Sequence, residues 1–151
     1  MLNDVMEFTL VRMDDGSESE FKIRKMTITD KSAVDEWLRI LYIQTAMKEG
    51  VSIVDAEEQV AGLDCAINQW FVSNEKLHAR LFWQVSGTNI SWKDFFKSFF
   101  DTPIATDSDN EYMNRFKKNI MTVAEAIQWC STNPTKSAKA ETKTTKQAKS
   151  N

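Results

Sequence analysis

The chain has 151 residues, enough for one domain that buries roughly two thirds of its unfolded surface without a metal or disulfide staple. Only 4 Gly and 2 Pro are present, which disfavours barrels, sandwiches and loop-built enzymes, whereas 5 Trp and 9 Phe exclude disorder throughout. Of 19 basic and 22 acidic side chains, five Lys and one Glu fall after Ser131; the preceding body keeps 14 basic and 21 acidic residues, net −7, and so repels nucleic-acid phosphate.

Met6, Phe8 and Leu10 alternate with Glu7, Thr9 and Val11. Asp15-Gly16 supplies a turn, and Phe21 and Ile23 alternate with Lys22 and Arg24. The spacing predicts a β-hairpin within 5–27, with strands at 5–12 and 20–27. Thr29 or Asp30 is a fitting N-cap for a helix over 31–48, whose stripe is Val34, Trp37, Leu38, Leu41 and Thr45 and whose end is Gly50. The hairpin is expected to pack against this helix.

Asp55 opens the next helix, which continues to about Val72 through Val60, Leu63, Ile67, Trp70 and Phe71. Ser73 caps a helix over 74–85 bearing Leu77, Leu81, Phe82 and Val85, with Gly87 after it. Ser91-Trp92-Lys93-Asp94 has the form of a capping box with Asp in place of Glu, and opens a short helix over 92–100. Its Trp92, Phe95, Phe96, Phe99 and Phe100 span an arc of roughly 140° at 100° per residue. Ser108-x-x-Glu111 starts a helix over 109–130 through Met113, Phe116, Ile120, Val123, Ile127 and Cys130. A break at Asn119 to Thr122 is the alternative, since Thr122-x-x-Glu125 is also a start signal. After Asn133-Pro134 nothing large remains to bury, so 132–151 reads as a flexible Lys/Thr-rich tail.

The expected fold is therefore α+β and mostly helical: a hairpin over 5–27 and a helical body over 30–131 of about five helices, together one domain over 1–131. No glycine-rich phosphate loop, nucleophile elbow or zinc-protease motif is present. His78 is a lone histidine beside an apolar stripe, and Cys65 and Cys130 read as separate reduced thiols. Catalytic residues, metal and cofactor are thus expected to be none, and the protein no enzyme. No leader or apolar run of membrane length is legible, so a cytoplasmic protein without membrane contact is expected. The aromatic helix has two readings. It is either a core element or a partner-binding face formed by Trp92, Phe95, Phe96, Phe99 and Phe100.

Phe21-Lys22-Ile23-Arg24-Lys25-Met26-Thr27-Ile28-Thr29-Asp30, followed by Ala33-Val34-Asp35-Glu36-Trp37-Leu38, joins a strand to a helix through Met-Thr-x-x-Asp. This stretch resembles the start of small tail assembly chaperones of long-tailed bacteriophages. The plan of hairpin, helical body and low-complexity C-terminus is similar too. The resemblance implies a non-enzymatic protein of the host cytoplasm that binds the helical tape measure protein before the tail tube forms. It also implies a fraction of product extended by ribosomal frameshifting. An inhibitor that binds a host or defence protein, or a minor virion component, fits the same composition.

Overall fold

The structure is a computed structural model that describes residues 5–63, 73–101 and 110–132. The elements are strands β1 (Val5–Val11) and β2 (Glu18–Arg24), then helices α1 (Ile28–Lys48), α2 (Ile53–Leu63), α3 (Asn74–Ser86), α4 (Trp92–Phe100) and α5 (Asn110–Ser131). The α+β, mostly helical class is as the sequence predicts. Residues 133–151 of the expected tail, Cys65, the second half of the helix expected to reach Val72 and the expected Ser108 start signal lie outside the described residues.

The strands pair antiparallel with Phe8 opposite Phe21. β2 starts two residues earlier than the alternation predicts, because the turn closes tightly: Arg12 N–H donates to Ser17 O at 2.8 Å and Gly16 N–H to Arg12 O at 2.9 Å. Gly16 has φ +77°, a backbone conformation that favours glycine, and a Cβ there would lie 3.0 Å from the Arg115 guanidinium, which would have to shift to admit it. β2 ends at Arg24 because the next backbone donor turns away: Met26 N–H donates to Cys130 O on α5 at 2.9 Å. Lys25 Nζ donates to Trp129 O at 2.9 Å while lying 3.9 Å from the Trp129 ring. A cation at the carbonyl end of α5 also complements the helix dipole.

α1 corrects the expected cap. Thr27, not Thr29 or Asp30, is the N-cap; Asp30 N–H donates to Thr27 Oγ1 at 3.2 Å and Thr27 N–H to Asp30 Oδ2 at 2.8 Å. This reciprocal capping box satisfies two backbone donors at once, which a single cap at Asp30 cannot do. The Thr-x-x-Asp of the resemblance motif is thus a structural device. At the other end Gly50 N–H donates to Met47 O and Val51 N–H to Ala46 O, a Schellman closure with Gly50 at φ +94°. α2 starts before Asp55 because the Ser52 hydroxyl accepts from Asp55 N–H at 3.1 Å.

The main core contains Phe8, Leu10, Phe21 and Ile23 of the hairpin, Phe82 and Val85 of α3, Phe95, Phe99 and Phe100 of α4, and Val123, Ile127 and Cys130 of α5. The hairpin therefore packs on α3, α4 and α5 rather than on α1. α1 instead lies against α3 and α2, where Leu38, Ile43, Ala46, Ala56 and Val60 form a second cluster. Phe21 sits at the centre of the main core, edge-on to Phe82, Phe95 and Phe99 with centroids 5.4–5.6 Å away. α5 is unbroken from Asn119 to Thr122. Asn119 is fully buried there, accepting from Val11 N–H at 2.8 Å and donating to Val11 O and Phe99 O at 2.7 and 2.9 Å. Its amide completes the backbone pairing of a strand end and a helix end that α5 covers.

Candidate functional site

α4 is held by its cap and by what it covers. The Ser91 hydroxyl accepts from Asp94 N–H at 3.1 Å, and the helix ends at Phe100 with Asp101 extended. Its polar residues Lys93, Asp94 and Lys97 are exposed. Its aromatic arc meets β2, α3 and α5, and this divides the five aromatics of the predicted face. Phe95, Phe99 and Phe100 are 0%, 2% and 3% exposed and belong to the core. A partner cannot reach Phe95 or Phe99 without opening the fold, and Phe100 shows only its small exposed fraction, at a cleft beside Phe96. Only Trp92 and Phe96 stay half-buried, although at 100° per residue they lie in the middle of the arc, between Phe99 and Phe100. The physical reason is what each ring meets: Phe95 and Phe99 pack on Phe21, with Phe82 also against Phe95, whereas Trp92 and Phe96 meet the partly exposed Trp37, Trp83, Lys76 and Arg80.

These two rings continue into a strip shared by three helices. Trp92 and Phe96 are one turn apart on α4 with ring centroids 5.2 Å apart. Lys76 and Arg80 are one turn apart on α3, and each stands over one of them: Lys76 Nζ lies 5.5 Å from the Phe96 centroid and Arg80 Cζ 5.1 Å from that of Trp92. Two more indoles close around Arg80, Trp37 of α1 at 4.8 Å and Trp83 of α3 at 4.5 Å. Trp37 meets Trp92 edge-on at 5.6 Å. Trp83 is fixed by its indole N–H, which donates to Ile90 O at 2.8 Å. Burial holds the Arg80 pKa down to about 10.

Beyond Phe96 the strip opens into a cleft of about 190 Å³. Phe96, Phe100 and Phe116 form its apolar lining, and Ser73, Glu75, Lys76 and Asp101 complete it. The chemistry on offer is recognition: flat apolar faces, two cations and a shallow cleft. His78, the sole histidine, is half-buried on α3, and no hydrogen bond joins it to another described residue. Cys130 is buried, and burial pushes its thiol pKa up, away from a reactive thiolate. Among the described residues no three His, Cys, Asp or Glu side chains converge as metal ligands, and no helix is long and apolar enough to cross a membrane.

Sequence reasoning identifies Trp92 and Phe96 but misses Lys76, Arg80 and Trp83, and takes Trp37 for part of the α1 core stripe. A signal exists for the α3 residues, since Lys76-x-x-x-Arg80-x-x-Trp83 keeps the spacing of one helix face. None exists for Trp37, which reaches the strip only through the packing of α1 on α3. Neither a family model, nor a curated protein, nor a solved structure matches the chain.

Proposed function

We propose that the protein is a non-enzymatic binding protein of the tail assembly chaperone kind. In this reading it acts in the host cytoplasm and holds the helical tape measure protein of a long-tailed phage through the Trp92–Phe96 strip and its cleft. The observation that carries the reading is this half-buried aromatic strip on an acidic body, flanked by Lys76 and Arg80. An apolar helix laid along it would bury aromatic surface of the kind that dominates interfaces, in helix-in-groove fashion. The body's net charge of −7 would keep such a complex soluble by self-repulsion.

The test is co-expression with the tape measure product of the same genome. Phe96→Ala is expected to weaken capture by about 2 kcal/mol, the scale of an interface hot spot, while melting changes little. Full capture by a Trp92→Ala/Phe96→Ala double variant that remains folded would end this reading.

A further inference from the structure

We propose that Arg80, framed by Trp37, Trp83 and Trp92, is a receptor for a carboxylate carried on an apolar segment of a protein partner. The chain has five arginines. Four are ion-paired: Arg12 with Asp14, Arg24 with Asp30, Arg39 with Glu36 and Arg115 with Glu111. Among the described residues Arg80 alone of the arginines pairs with no carboxylate. Its Nε–H is buried without an acceptor, and no described residue accepts a hydrogen bond from the rest of its guanidinium. Three indole faces attract the charge but supply no oxygen lone pair to its five N–H donors. Partial burial makes that unmet capacity consequential, because a charge-assisted bond gains strength as water is excluded.

The ligand class follows from the walls and the field. A planar guanidinium matches the two oxygens of a carboxylate. Indole surfaces favour an aliphatic or aromatic body behind that carboxylate and disfavour a small hydrated anion. An acidic protein repels free anions at long range, so the anion must arrive on something that binds by apolar contact as well. A Glu or Asp set within an apolar stripe meets both demands. This inference deepens the binding reading, and rests on it only in taking the ligand to be a protein side chain.

The test uses the full chain and hexanoate, with hexanamide as its neutral counterpart and inorganic phosphate at matched ionic strength. The readouts are the Arg80 Nε–H resonance and tryptophan fluorescence. Hexanoate is expected to move both saturably, in the millimolar range for so small a ligand. Hexanamide should move neither. Arg80→Met should weaken hexanoate about tenfold or more, and Arg80→Lys should lose most of the response because an ammonium lacks the planar fork. Equal responses to hexanoate and hexanamide, or an undiminished response in Arg80→Met, would overturn the proposal. A stronger response to phosphate would overturn it in favour of a phosphate site. Arg80→Met should melt no lower than the parent, since it removes a desolvated and unpaired charge. A fall of more than about 5 °C would instead make Arg80 a clamp for the three indoles and also overturn the proposal. The hexanoate result is independent of tape measure capture, so failure of one leaves the other standing.

Discussion

Asp30 is a surface N-cap by its spacing and a buried hub by its contacts. Its side chain is 3% exposed and takes two bonds from Arg24 at 2.6 and 2.8 Å, two from Thr27 and one from Gln84 of α3. Burial pushes its pKa up, but the Arg24 pair, the Thr27 bonds and Gln84 more than offset this, so the carboxyl titrates well below the ordinary range. A depressed folded pKa gives stability that is present above the unfolded value, near pH 4, and is lost as pH falls through the folded value. Asp30→Asn is therefore expected to cost about 2–3 kcal/mol at pH 7, limited because Arg24 is half-exposed and can rehydrate. The difference from the parent should shrink as pH drops below 4; urea titrations between pH 2 and 7 measure it, and a constant difference would assign the cost to shape rather than charge. Asn119→Leu keeps the branched skeleton in a somewhat larger side chain but strands the Val11 N–H and two carbonyls in the core. It is expected to cost about 3 kcal/mol in chemical denaturation.

α4 joins buried and half-buried aromatics on one short helix. Its bounds are legible in sequence because Ser91 and the closely spaced aromatics are local signals, and the structure returns Trp92–Phe100. Which aromatics lie inside is not legible, because a helix wheel gives directions and not neighbours. Phe99 contacts Phe21 at 5.4 Å and Phe95 at 5.4 Å, so Phe99→Ala is expected to cost about 3–5 kcal/mol of folding stability. Phe96→Ala, at a half-buried ring, is expected to cost about 1 kcal/mol. Paired thermal and urea melts check the contrast, and equal losses at the two sites would contradict the division into buried and half-buried rings. The α3 helix, from the Ser73 cap to Gly87 at φ +62°, is likewise legible from its ends. Its Arg80 is not, because the residues that stack on it come from α1 and α4 as well as α3.

At the scale of the whole molecule, two apolar clusters divide the work. The main core is closed by the hairpin, α3, α4 and α5, while the second joins α1 to α2 with Trp37, Leu41, Tyr42, Val51 and Leu77 alongside. Among the described residues the second cluster is smaller, and its buried members are near in sequence. Ile53 and Val54 at the start of α2 are exposed. Local opening there loses little buried surface, so α2 amides are expected to exchange with solvent at a lower opening free energy than those of β1 and α5. Native-state hydrogen exchange measures this, and uniform protection across both clusters would show that they open as one.

Wherever the cause is local, the sequence by itself decides the outcome. The hairpin follows from period-two alternation around Asp15-Gly16, the α3 and α4 boundaries from Ser73, Gly87 and Ser91, and the helical bulk from scarce Gly and Pro. Tertiary structure decides what depends on residues distant in the chain. It sends the hairpin against α3, α4 and α5 because Phe21 finds its ring partners there. It buries Asn119 because α5 crosses the end of β1, more than a hundred residues earlier. It turns Arg80 from one exposed-looking position on a helix into the centre of three indoles. Periodicity specifies a face, but only packing specifies what that face meets, and burial, charge state and recognition all depend on the latter.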